Sequence, residues 1–388
     1  MSKKDAKKTV LPHSKAKLDL FRSYLEKYFA ILGLAKGITK INLYDIFCGI
    51  GLYEDGNIGS PLIAVECVKR NNDLFEKYKW QKKLITLNIN DGAKEKADNV
   101  KNLLTSENID NCRMAFYNHN ADEMLDIVIN EVNNFPRTER NLVFIDPYGY
   151  SNIDKNKIIS LLRKGRSEIL LFLPVMQMYR FSGIALTDFE RKCYEDLRKF
   201  IFDFFPEGHK IRDEKAENVF EFINFIKEAL SFNEEYYTCS HYIERDKRNY
   251  YAVFFITSNI YGLERMLNVK WDKDASLGKG FRKELAQKSL FENEEMGDAL
   301  SASLELLGKK IQLFLKTGRK KNNLDLYEFI LKSEFLPKHA NEILRSWQKE
   351  KPFVYDVKSN ELILKPKSFY LKYDEFKTKS PKVYYQIN

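Results

Sequence analysis

Two short runs carry residue types and spacings suited to chemistry. The first is Asp45-Ile-Phe47-Cys-Gly49-Ile-Gly51, after a strand-like stretch. Glycines there let the backbone turn sharply and let a ligand approach closely. The G-x-G-x-x-G dinucleotide fingerprint needs a third glycine, and position 54 is Glu, so a pyrophosphate is a poor fit. An acid near the strand end followed by G-x-G suits a zwitterion instead. Asp45 would face an ammonium, while loop N–H groups receive a carboxylate or pack against the ligand. The plain alternative is an ordinary strand-to-helix turn with glycines for packing. The second run is Asp146-Pro147-Tyr148-Gly149, after the wholly apolar Leu142 to Ile145. Open α/β sheets hold ligands at such strand ends. Asp146 and nearby carbonyls can accept hydrogen bonds from an amino group, and Tyr148 can stack on a planar substrate. Here the alternative is a Pro-Tyr-Gly turn with Asp as a cap.

The elements that must position these runs follow from periodicity. Residues 14–34 predict an amphipathic helix, with Leu18, Phe21, Leu25, Phe29 and Leu32 on one face. Strands are expected at 41–47, 84–89, 114–117, 142–145 and 169–173, separated by helices at 59–79, 92–106, 121–134 and 154–164. Apolar strands alternating with helices give a parallel sheet covered on both faces. A helical insertion around 180–232, broken near Pro206–Gly208, precedes a hairpin, 236–243 and 250–257, turning over Glu244–Asn249. Five strand–helix steps closed by an antiparallel hairpin is the order of a Rossmann-like methyltransferase sheet. Further on, helices at 297–316, 324–332 and 337–350 and paired strands at 352–357 and 361–365 suggest a winged-helix-like module. The expected domains are 1–308 and 309–388.

Of the 388 residues, 44% are apolar and 31% charged, a globular composition. No apolar run is long enough to span a membrane, and the lysine-rich start lacks a signal-peptide core. Five cysteines and five histidines are scattered, without metal-ligand spacing, so no metal site is expected and a reducing cytoplasm fits. Residues 309–388 hold 18 Lys/Arg against 9 Asp/Glu, while the remainder holds 46 of each. The net charge of +9 therefore sits in this last block. A folded basic block attracts phosphates; a lysine-rich solubilising surface is the other reading. Arg319, Lys320, Lys321, Lys338 and Arg345 are the candidate nucleic-acid contacts.

Taken in order, Pro12-His13-Ser14, Lys17, the Asp45–Tyr53 run, Gly59-Ser60-Pro61 and Phe144-Ile-Asp146-Pro147-Tyr148-Gly149 resemble the three-Cys-motif partner proteins over roughly residues 12–275. The Asp146 turn is also similar to the D/N-P-P-Y/F turn of amino-methyltransferases, with the second proline absent. The resemblance implies a class I methyltransferase fold, S-adenosylmethionine as cofactor, and pairing with a radical-S-adenosylmethionine-like protein carrying three cysteines. S-adenosylmethionine also has the zwitterionic arm the Asp45 loop suits. On this reading Asp45, Phe47, Gly49 and Gly51 hold the methionine arm, Asp91 the ribose and Asn120 the adenine. Asp91 has simple helix capping as its alternative, and Asp122 is the expected cap of the third helix. Asp146, Pro147 and Tyr148 would meet the acceptor, beside Gly59, Ser60, Pro61 and, folded back, His13. Three functions are open: a nucleic-acid methyltransferase, a binding subunit that recruits or regulates its partner, and a methyltransferase for small molecules or proteins.

Overall fold

The computed structural model describes residues 9–150, 153–246, 249–275, 278–281, 292–350, 353–357 and 368–387. They form two compact units, one running to Asn259 and taking in Phe281, the other beginning at Ile260. The division falls earlier than the expected 308. Helix α9 (Ile260–Lys273) meets α11 (Asn323–Lys332), and α10 (Glu292–Lys316) meets α12 (Pro337–Glu350), so both helices join the C-terminal unit. Sequence periodicity assigned nothing to α9.

In the first unit β1 (Lys40–Asp45), β2 (Leu84–Asn90), β3 (Cys112–Tyr117), β4 (Glu139–Ile145) and β5 (Ser167–Leu173) run parallel. The hairpin β6 (Tyr237–Asp246) and β7 (Asn249–Thr257) adds antiparallel to β5 through β7. The sheet order is β3-β2-β1-β4-β5-β7-β6-β8, where β8 is the two-residue Gly280–Phe281. This is the α/β, mostly parallel sheet that the alternation predicts. The hairpin strands run further into the polar segment than expected, because a bulge between Glu244 and Asp246 absorbs the irregular register.

The chain winds outward from β1 to β3 and returns to β4 on the other side of β1. The order therefore reverses between β1 and β4, where open sheets leave a crevice at their carboxyl ends. Register puts Asp45 opposite Ile89 of β2 and Phe144 of β4, so the predicted runs emerge side by side.

Helix α1 (Pro12–Leu34) buries Leu18, Phe21, Leu25 and Phe29 of the predicted face, leaves Leu32 half-buried, and adds Tyr24 and Tyr28. Phe21 stacks on Phe144 at 4.5 Å and Tyr24 meets Phe255 edge-on at 4.9 Å. Each buried aromatic of this kind contributes about 2–3 kcal/mol. Gly33 lets α1 lie against α2 (Ser60–Lys77), since a Cβ there would stand 2.4 Å from the Phe75 ring. The remaining crossover helices are α3 (Lys94–Leu104), α4 (Ala121–Asn134) and α5 (Lys155–Leu162). The helical insertion consists of α6 (Val175–Thr187), α7 (Glu195–Phe204) and α8 (Val219–Ser231), starting before the expected 180.

The second unit runs α9, α10, β9 (Lys321–Asn322), α11, α12, β10 (Phe353–Val357), α13 (Tyr373–Thr378) and β11 (Val383–Ile387). Asn322 and Asp325 cap α11 reciprocally. Its sheet has the order β10-β11-β9, all antiparallel. The expected partner of β10, residues 361–365, lies outside the described residues. Among the described residues, Val357 faces Val383 and Phe353 faces Ile387, so β10 pairs with a strand that follows α13. Trp271 is buried, donates from Nε1 to the Glu334 carbonyl (3.0 Å) and lies 4.1 Å from the His339 ring. No helix among the described residues is long and apolar enough to cross a membrane.

Candidate active site

Beyond β1 the chain keeps pairing for three residues. Ile46 N–H donates to the Phe144 carbonyl (3.0 Å) and Cys48 N–H to that of Asn90 (2.8 Å). Gly49 (φ 68°) and Gly51 (φ 78°) then turn it in the left-handed region. Gly51 N-terminal to α2 meets a second glycine: Gly59 N–H donates to the Gly51 carbonyl at 2.6 Å. A Cβ on Gly59 would lie 3.1 Å from that oxygen, and one on Gly51 2.8 Å from Val100. The loop and the start of α2 thus approach backbone to backbone.

Asp45 is buried at the tip of β1. Its Oδ2 accepts from the Ser60 hydroxyl at 2.6 Å, while its Oδ1 has no hydrogen-bond partner. Burial pushes its carboxyl up to about 7; the Ser60 hydroxyl and the Phe47 N–H offset this in part, and the charges of Asp146 and Asp91 add to it. A buried carboxylate oxygen without a donor is costly unless something cationic satisfies it. That is the arrangement an ammonium ligand fits.

Asp91 follows β2. Its Oδ2 accepts from Gly49 N–H (3.0 Å) and its Oδ1 from Ala93 N–H (2.9 Å). It holds the glycine loop and closes a turn ahead of α3, whose N-cap is Ala93 without a side-chain cap, so simple helix capping does not account for Asp91. Each oxygen keeps a further lone pair for a ligand hydroxyl. Asn90, buried, ties three strand tips: its amide donates to the Ile46 and His119 carbonyls (3.0 and 3.1 Å) and accepts from His119 N–H (2.9 Å). Asn120 is exposed and caps α4, its side-chain oxygen accepting from Glu123 N–H at 3.0 Å. The expected cap, Asp122, is corrected: it pairs with Lys157 at 2.6 Å, because the extended residue that precedes α4 is Asn120. Asn120 Cα lies 3.7 Å from where a Gly92 Cβ would stand, so the β2 and β3 tips are close enough to share a ligand.

Asp146 leaves β4 in an ion pair with Lys17 of α1. Lys17 Nζ also lies 4.5 Å over the Phe172 ring. Phe172 stacks on Tyr251 at 5.2 Å, and Tyr251 on His13 at 5.0 Å. His13 and Lys17, one helical turn apart, therefore reach the same wall. Pro147 is buried, whereas Tyr148 projects outward, 81% exposed. Lys96 of α3 donates to the Tyr148 hydroxyl at 2.5 Å, lies 4.3 Å from its ring centre and 3.9 Å from Asp91 Oδ1. The Tyr53 hydroxyl is pushed up to about 12, by burial first and then by Asp146 and Tyr148.

The sequence-predicted residues Asp45, Phe47, Gly49, Gly51, Gly59, Ser60, Pro61, Asp91 and Asp146 thus converge at one end of the sheet. Sequence reasoning missed Lys96, Asn90 and Tyr53, and assigned Lys17 no role. The spacing of His13 and Lys17 on one helical face was the available signal for Lys17. Among the described residues no group of three or more His, Cys, Asp or Glu is placed to hold a metal ion.

The basic candidates sit in the second unit. Both guanidinium ends of Arg319 bond Asp325 (3.0 and 2.6 Å). Lys320 lies 5.9 Å over Tyr384 and Lys321 4.8 Å over Phe314. Lys338 and Arg345 are exposed on α12, one face apart from its buried Ile343 and Leu344.

No family model and no curated protein matches the sequence. Among solved structures, Trm1 from Pyrococcus horikoshii in complex with S-adenosyl-L-methionine is 10% identical, with 98% of this chain and 96% of that one covered and a TM-score of 0.34. The O-methyltransferase TomG from Streptomyces achromogenes in complex with SAM is 12% identical, covering 62% and 80%, with a TM-score of 0.32. Likenesses at this level carry no argument about this chain, whose fold rests on its own strand order.

Proposed function

We propose that the protein is an S-adenosylmethionine-dependent methyltransferase of the class I, Rossmann-like type. The observation that carries this is the buried Asp45 with one carboxylate oxygen unsatisfied, at the point where the strand order reverses. Asp45 holds the ammonium of the methionine arm over Gly49 and Gly51. Asp91 takes the ribose hydroxyls and Asn120 borders the adenine. When bound, the cofactor supplies an electrophilic methyl carbon and leaves as a neutral thioether. The chain's own part is positioning and electrostatics, for which no nucleophilic side chain is needed. Lys17 fixes the Asp146 carboxylate, which accepts a hydrogen bond or proton from an acceptor seated by Pro147, Tyr148, Ser60 and Pro61.

The acceptor is nucleic acid, and the three-Cys protein is the working partner. Supporting the first is the α10–β9–α11–α12–β10–β11 order, with β9 and β10 both paired to β11, which suits a winged helix. The charge excess of residues 309–388 supports it too. A second reading, a binding subunit without turnover, is favoured by one observation: the Lys17 ammonium already occupies Asp146.

Calorimetry with S-adenosylmethionine tests the cofactor. No binding at millimolar ligand would defeat the reading. Methyl transfer to nucleic acid, absent in Asp146→Ala, separates the enzyme from the binding subunit. Lys320→Glu with Lys321→Glu should weaken salt-dependent retention on nucleic acid about tenfold and leave cofactor affinity unchanged.

A further inference from the structure

The connection from α2 to β2 carries features that the site at the strand tips does not use. Its sequence is Lys77-Tyr78-Lys79-Trp80-Gln81-Lys82-Lys83. Because it leads into the first residue of β2, it lies at the amino end of the sheet. The length of β2 puts it roughly 20 Å from Asp45.

The backbone of this loop is fixed. Trp80 N–H donates to the Phe75 carbonyl (2.8 Å) and Lys79 N–H to that of Glu76 (3.0 Å), the two bonds of a Schellman helix end. The usual apolar contact of that motif is present, with Trp80 edge-on to Phe75 at 5.4 Å and 79°. This accounts for one edge of the indole and no more. Trp80 remains 40% exposed and Tyr78 51%, and the two rings stack on each other at 4.8 Å and 22°. Helix capping does not explain why two aromatic rings stack in solvent.

The lysines are a second anomaly. Lys79 takes φ 55°, the position where a Schellman end favours glycine. Four lysines face one glutamate within residues 76–83. Lys82 pairs with that Glu76, and Lys77 lies 5.5 Å over the Tyr78 ring. Lys79 and Lys83 have no acidic partner among the described residues.

We propose that this loop binds single-stranded nucleic acid, bases stacking on the Tyr78–Trp80 pair and phosphates meeting Lys77, Lys79, Lys82 and Lys83. An aromatic π-face accepts any unpaired base, and a cationic groove beside it tracks the backbone. An acidic protein surface would use the lysines but leave the stacked rings without a role. The site stands whether or not the strand tips transfer methyl groups.

The test compares a short labelled oligothymidylate with an abasic oligonucleotide of equal length. Anisotropy is followed against salt with the full chain carrying Lys320→Glu and Lys321→Glu, so that the C-terminal surface contributes little. That background should favour oligothymidylate about tenfold. Adding Tyr78→Ala and Trp80→Leu, where leucine keeps an apolar contact to Phe75, should remove the preference. Adding Lys79→Gly instead should keep or raise the melting temperature and lower the salt slope by about 0.7. No preference for bases in the background protein would overturn the proposal. So would a preference and slope unchanged by both variants. Loop-dependent binding of polyglutamate in place of oligothymidylate would also overturn it, in favour of an acidic protein partner.

Discussion

Asp45 at the carboxyl end of β1 and Glu168 near the amino end of β5 are both pushed up to about 7, with burial the largest cause. Their surroundings differ. Glu168 accepts from Tyr24 at one oxygen (2.5 Å) and from Thr257 at the other (3.2 Å). Asp45 has Ser60 on one oxygen and no partner on the other. A half-buried acid with both oxygens bonded is a completed structural joint. A buried one left half-satisfied carries a free-energy cost that a cationic ligand can remove. The pair shows that a raised carboxyl alone does not mark a site; what sets Asp45 apart is an oxygen without a partner at the point where the strand order reverses.

The largest expected effects separate the two ends. Asp45→Ala should weaken S-adenosylmethionine roughly 100-fold by calorimetry, since it removes charge-assisted hydrogen bonds, and should cost little stability. Glu168→Ala should do the reverse. It strands Tyr24 and Thr257, costing about 3 kcal/mol in urea unfolding, with cofactor affinity unchanged. Equal stability losses and unaltered affinity in both would erase the distinction.

pH sharpens the same contrast. Both acids have folded values near 7, above their ordinary 3.8 and 4.5. The stability each contributes is therefore present below the ordinary value and lost as pH rises through about 7. Unfolding midpoints should fall between pH 5 and pH 8, and Glu168→Gln should flatten part of that fall. At Asp45 a cationic ligand reverses the loss, so S-adenosylhomocysteine should stabilise more at pH 7.5 than at pH 5.5. Its affinity should drop about tenfold per unit below pH 7.

Lys17→Met asks what the carboxyl end does with its second acid. In the enzyme, kcat should fall about 100-fold with cofactor affinity retained. In a binding subunit it would change neither. The smallest effect is expected for Lys96→Ala. It frees Tyr148 and weakens the cofactor a few-fold, costing about 0.5 kcal/mol in stability because the contact is exposed.

What the sequence made legible was local. The Asp45–Gly51 and Asp146–Gly149 runs each follow a strand whose apolar pattern is self-contained, so both the strand and its tip could be placed. The joints between them were not legible. Lys17 to Asp146, Asn90 to His119 and Lys96 to Tyr148 are contacts between polar residues far apart in the chain, and single polar residues on helices carry no periodic signal. The same limit hid β11. Val383–Ile387 is a short alternating stretch after Pro381, and its pairing with β10 spans a helix.

That last strand has a consequence for synthesis. β9 and β10 do not touch each other; both are laid against β11. As the chain leaves the ribosome, β9 and β10 lack this shared partner until Val383–Ile387 has emerged. A stop codon before Val383 would therefore remove the strand that β9 and β10 share among the described residues, and the short-lived intermediate would become the final product.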